Sequence, residues 1–91
     1  MLKKILTISL ILLSPVLSHA DELTHQLGNS GYAVRWAMHL GANKKSPTHY
    51  RTAVKLQKQA REKFRHENKA EAKRLSEEAY KEAMLAVEES K

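Results

Sequence analysis

Alanine recurs every seven residues through the C-terminal half of this 91-residue chain: Ala53 and Ala60, then Ala72, Ala79 and Ala86. Seven residues is close to two turns of α-helix, so each set lies on one side of its helix. Alanine carries nothing beyond Cβ, so two such faces let helix axes approach closely. Glu67-Asn68 is the break between the two sets, and so short a connection forces the flanking helices to run antiparallel. The expected centre of the fold is a tight, alanine-lined helical hairpin.

The punctuation of the chain places the helices. Proline occurs at Pro15 and Pro47, and the longest polar break is Asn43-Lys44-Lys45-Ser46. Ser46-Pro47 reads as a helix start, with Ser46 as N-cap and Pro47 at the first helical position. Asn68 is suited to cap the next helix, with Glu71 three residues on at capping-box spacing. The expected helices span about 22–42, 47–66 and 69–89. Gly28-Asn29-Ser30-Gly31 is a run of weak helix formers that either kinks the first helix or delays its start, and Gly41 reads as its end. No stretch alternates with the two-residue period of a strand. The expected fold is all-α, a three-helix up-down bundle with helix one packed across the hairpin.

Apolar spacing supplies the faces. Helix one offers Leu23, Leu27, Val34, Ala37 and Gly41, with Ala33 and Leu40 beside them. Helix two offers Ala53, Leu56, Ala60 and Phe64, with Tyr50 and Gln57 at the border. Helix three offers Ala72, Leu75, Ala79, Ala83 and Ala86. Steps of three and four residues mark buried helical stripes. Helix three carries a second stripe, Tyr80, Met84 and Val87, which either receives helix one or docks another chain. Trp36 and Tyr32 on helix one carry the same two alternatives.

The N-terminus specifies a destination. Lys3 and Lys4 precede an apolar stretch, Ile5 to Leu13, and Ser18-His19-Ala20 presents small residues at the −3 and −1 positions of a cleavage site. This is the layout of a secretory signal peptide, cleaved between Ala20 and Asp21. Its apolar run is far short of the roughly 20 residues a spanning helix needs, so no transmembrane segment is expected in the mature chain. Residues 21–91 then form one α-helical domain in the periplasm or beyond the outer membrane. The chain has no cysteine, which excludes disulfides, a thiolate metal site and a cysteine nucleophile. A domain this small with no covalent staple is marginal alone, so self-association or a protein partner is expected.

Charge is unevenly spread. Residues 44–66 carry eight basic side chains against Glu62, a net +7, whereas residues 67–91 carry five basic against seven acidic, a net −2. Arg51, Lys55, Lys58 and Arg65 fall opposite Ala53 and Ala60, with Glu62 among them. Such a stripe either meets an anionic envelope surface or is simply solvated. No reading motif or stacking aromatics accompany it, so nucleic acid is not an expected partner. Helix three is laced with i,i+4 pairs, Lys73–Glu77, Arg74–Glu78 and Glu77–Lys81. His25, His39, His49 and His66 have no helical metal-ligand spacing, so surface histidines are expected, with ligation between two helices as the alternative. No catalytic constellation or phosphate loop is present, and no cofactor or enzyme activity is expected.

Ser46-Pro47, Ala53, Ala60, the break at Glu67-Asn68, and Ala72-x-x-Leu75-x-x-x-Ala79-x-x-x-Ala83 together resemble a family of alanine-rich helical bacterial envelope domains of unknown function. Those modules occur in small exported proteins and lipoproteins, sometimes before an OmpA-like peptidoglycan-binding domain. The resemblance covers roughly residues 24–90 and implies a non-enzymatic module of the cell envelope. A weaker likeness is to small periplasmic metal-binding helical proteins, which share the size, export signal and hairpins and are far richer in histidine. The expected function is a periplasmic interaction or scaffold module that self-associates. The alternatives are a cationic binder of anionic envelope surfaces and a histidine-based metal binder.

Overall fold

The computed structural model describes residues 22–91; the expected signal peptide and the Ala20/Asp21 cleavage point lie outside these residues. The described chain is all-α, with no strand among the described residues. Residues 22–39 are helical and form α1. Three further helices follow: α2 Ala42–Lys45, α3 Pro47–Arg65 and α4 Lys69–Ser90.

The helix through 22–39 runs without a break across Gly28-Asn29-Ser30-Gly31. Ser30 and Gly31 are buried against the other helices, and that packing outweighs the weak local propensity. The first helix ends earlier than the expected residue 42. Gly41 takes a left-handed conformation, φ 82°, which glycine adopts without a Cβ penalty. Its N–H donates to the Met38 carbonyl at 3.0 Å, and its own carbonyl accepts from Lys44 and Lys45, starting α2. The polar run expected to be an open break is therefore a single helical turn. Pro47 stands at the start of α3 as expected, but Ser46 makes no side-chain cap bond there. Its hydroxyl donates instead to the Glu89 carboxylate on α4.

The turn between α3 and α4 is built from paired backbone bonds. The N–H of Glu67 donates to Phe64 and that of Asn68 to Lys63, the two bonds of a Schellman ending. Glu67 holds φ 61°, a left-handed position without glycine. Asn68 then caps α4, its side chain accepting from the Glu71 N–H at 3.4 Å. The capping box is half made, because the Glu71 carboxylate turns to Arg74 at 2.9 Å. With the turn this short, α3 and α4 run antiparallel: His49 meets Glu82 and Ser46 meets Glu89.

The core is made of small side chains. Among the described residues Ala53, Ala60, Ala72, Ala79, Ala83 and Ala86 are fully buried, and Val87 is the largest side chain buried as completely. Leu23 and Leu75 are the two larger apolar side chains in the core, each 6% exposed. One cluster joins Ala37, Ala42, Ala86 and Val87, flanked by Leu40, Tyr50 and Met84. Another joins Ala33, Ala53 and Ala83, flanked by Val34 and Met84. Contact positions on α1 thus rise with those on α4 and fall with those on α3.

A polar layer crosses this core, one residue from each long helix. Ser30, Gln57 and Ser76 are all buried. The Ser30 hydroxyl donates to the Gln57 side-chain oxygen and lies 3.1 Å from the Ser76 hydroxyl. Gln57 Nε2 donates to the Leu27 carbonyl at 3.2 Å, and Ser76 reaches the Gln26 carbonyl at 3.1 Å. Gln57 thus lies inside the core and not at its border as the apolar spacing suggested. Phe64, assigned by spacing to the buried face, is 37% exposed, because it sits in the last turn of α3 beside the α3/α4 turn, where residues 61–70 are all exposed.

Candidate interaction surface

With little volume inside, many of the large apolar side chains stand outside. Tyr32, Trp36, Met38, Phe64, Tyr80 and Leu85 are all exposed. Two of them, Trp36 and Tyr80, flank the line where α1 meets α4. There Gln26 and Asn29 from α1 and Glu77, Tyr80 and Lys81 from α4 line an open cleft of about 370 Å³. Trp36 lies seven residues beyond Asn29 on the same side of α1, and Met84 lies one turn beyond Tyr80 on α4. Lys91 places its ammonium 5.8 Å from the Trp36 ring centroid, within cation–π range. The buried oxygen of the Gln26 side chain has no hydrogen-bond partner among the described residues.

Of the four residues singled out by spacing as partner contacts, Trp36 and Tyr80 are exposed and Met84 is half-buried. Val87 is fully buried against Ala37, Ala42 and Ala86 and is not available to a partner in this fold. Val87 lies on the α1 side of the stripe, so one helical stripe serves two purposes. Its inner edge receives α1 and its outer edge stays open. Tyr32, singled out with Trp36, is exposed as well, and Met38 and Leu85 add exposed apolar surface that the stripes alone did not assign.

The basic stripe lies on the outer side of α3. Arg51, Lys55, Lys58 and Arg65 are all exposed. Arg65 pairs with Glu62 at 2.5 Å, and Glu62 also holds His66 at 3.0 Å. These partners hold the Glu62 carboxyl below its ordinary range, the Arg65 hydrogen bond being the main cause. Arg51, Lys55 and Lys58 have no carboxylate partner among the described residues. On α4 the expected Arg74–Glu78 pair forms at 3.1 Å, with Glu71 added on the other side of Arg74. Lys73–Glu77 and Glu77–Lys81 are not ion-paired among the described residues, because exposed side chains separated by one turn gain little by pairing.

One histidine departs from the surface expectation. His49, on the first turn of α3, places Nδ1 2.5 Å from Glu82 and Nε2 3.6 Å from Glu89. Glu89 also accepts from Ser46, and Lys45 donates to the Ser90 carbonyl at 3.3 Å. The hydrogen bond to Glu82 raises the His49 pKa above its ordinary value, burial opposes it in part, and the charges of Glu82 and Glu89 add to the rise. His25 and His39 are exposed on α1. No group of three or more metal-ligating side chains is arranged to hold an ion among the described residues. No described helix is long and apolar enough to cross a membrane.

Comparison with protein-family models, curated proteins and solved structures gives no match for this chain.

Proposed function

We propose that this chain is an exported interaction module of the bacterial cell envelope, freed of its signal peptide after Ala20, that acts without catalysis and self-associates as a three-helix up-down bundle. The carrying observation is the inversion of side-chain size. Among the described residues six large apolar side chains are exposed, whereas the buried apolar core holds only two side chains larger than valine, Leu23 and Leu75. A monomer gains little by holding aromatic surface in water, whereas a second protein surface recovers that burial. The leader layout at Lys3 to Ala20 supports export, and the register of contacts among α1, α3 and α4 supports the bundle. Light scattering after size exclusion tests the reading, together with circular dichroism melts across concentration. A dimer or larger species with a melting point that rises with concentration is expected. A monomer with a concentration-independent melt overturns it. Intact mass of the protein recovered after expression of the full chain tests cleavage between Ala20 and Asp21.

A second reading has its own observation. Arg51, Lys55 and Lys58 stand exposed on one side of α3 with no carboxylate partner among the described residues. Such a stripe suits an anionic envelope surface. Co-sedimentation with vesicles of anionic phospholipid tests it. Salt-sensitive binding that disappears on charge reversal of these three residues supports it, and binding unaffected by that reversal removes it.

A further inference from the structure

The charges around Tyr80 and Met84 on α4 form a pattern that complements itself. Glu77 lies seven residues before Met84 and Lys91 seven after it, while Lys81 lies three before and Glu88 four after. At about 100° per residue Glu77, Lys81 and Glu88 fall within roughly 60° of the Met84 direction, and Lys91, directly after the last residue of α4, stands over the Trp36 ring beside them. All four are exposed, and Met84 is half-buried at their centre.

Two copies of this face meet in one of two senses. A parallel, in-register pairing sets Glu77 on Glu77 and Lys81 on Lys81. An antiparallel pairing with a two-fold axis at Met84 sets Glu77 on Lys91 and Lys81 beside Glu88, and symmetry repeats both contacts. We propose that the α1/α4 face is the self-association surface, occupied by a second copy of this chain in that antiparallel two-fold arrangement. The proposal rests on the self-association reading above and names its interface.

Such an interface is isologous and closes on itself as a dimer. Tyr80, Met84 and Trp36 supply the apolar contact. The ion pairs are exposed, so they contribute more to register and orientation than to affinity. Within one chain Lys91 already pairs with Glu88 at 3.1 Å beside the Trp36 ring. Dimerisation exchanges that local pair for contacts across the axis and buries the ring edge.

Sedimentation equilibrium of the protein recovered after expression of the full chain tests the arrangement. The variants are Lys81→Glu, Glu88→Lys and the two combined. Each single reversal sets like charges together twice per dimer and weakens dimerisation by about tenfold. The combined variant restores opposite charges and returns the dissociation constant to within about threefold of the parent. Both positions are exposed, so the monomer fold is retained, checked by the helical circular dichroism of each variant. Single reversals without effect, or a combined variant no better than the singles, overturn the proposed face while leaving self-association standing. A parent protein that stays monomeric at every concentration overturns both.

Discussion

Gly28 and Gly31 lie within one turn of each other on α1, yet their surroundings differ. A Cβ built on Gly28 meets nothing within 4 Å, so alanine there gains helix propensity at no packing cost. Gly28→Ala is expected to raise stability by about 0.5–1 kcal/mol in urea unfolding. A Cβ on Gly31 meets Gln57 Nε2 at 3.3 Å and Arg61 Nη2 at 3.4 Å. Arg61 can swing away, but Gln57 is held by Ser30 and Leu27. Gly31→Leu is therefore expected to push α1 off α3 and lower stability by about 1–3 kcal/mol. Ala79, fully buried on α4, is governed by the same crowding. Ala79→Leu is expected to splay the hairpin at a similar cost, and an unchanged thermal melt would count against a close alanine seam. The alanine positions were readable because their seven-residue interval survives any context. Gly31 was not separable from Gly28, because the difference lies in side chains from another helix.

At the scale of an element, the hairpin turn and its open end behave differently. Glu67 occupies a left-handed position that costs a non-glycine residue about 1 kcal/mol. Glu67→Gly removes that strain and is expected to stabilise the hairpin by a few tenths to 1 kcal/mol, net of the added chain entropy. The open end is held by His49 between Glu82 and Glu89. Its raised pKa means the folded state binds the proton more tightly than the unfolded one. This contribution is full below about pH 6.5 and is lost as pH rises through the folded-state value above it. The melting temperature is expected to fall between pH 6 and pH 9, with a smaller fall in His49→Gln. Glu62 and Glu71 act on the acid side. Their depressed pKa values give a contribution present above about pH 4.5 and lost as pH falls through the folded-state values. Helix ends near 47, 65, 69 and 90 were legible from Pro47, Asn68 and the apolar period. The role of Ser46 was not, because its acceptor is Glu89, 43 residues away.

For the whole molecule, the polar layer decides how three thin helices align. Alanine faces are smooth and slide by a turn at little cost, whereas Ser30, Gln57 and Ser76 satisfy one another in one register. Ser30→Ala leaves the Gln57 side-chain oxygen buried without a donor. It is expected to cost about 1–3 kcal/mol although alanine is the better helix former. The combined Ser30→Ala, Gln57→Met, Ser76→Ala variant removes all three polar side chains at once. It is expected to be near neutral or more stable, with poorer dispersion of its amide NMR spectrum. A triple variant as destabilised as Ser30→Ala would show that the layer contributes stability outright.

The sequence by itself determined that this chain is helical, where its helices turn, and which faces carry alanine. These follow from period, capping residues and the lack of a β pattern, all of which act within a few residues. It also marked the basic stripe and the exposed aromatics as candidates. The tertiary structure alone decided that Gln57 belongs inside and Phe64 outside, that Val87 is core while Tyr80 on the same stripe is surface, and that His49 is a contact between helices. Each of these depends on which neighbouring helix covers a given side, and helical periodicity carries no information about the direction from which a neighbour comes.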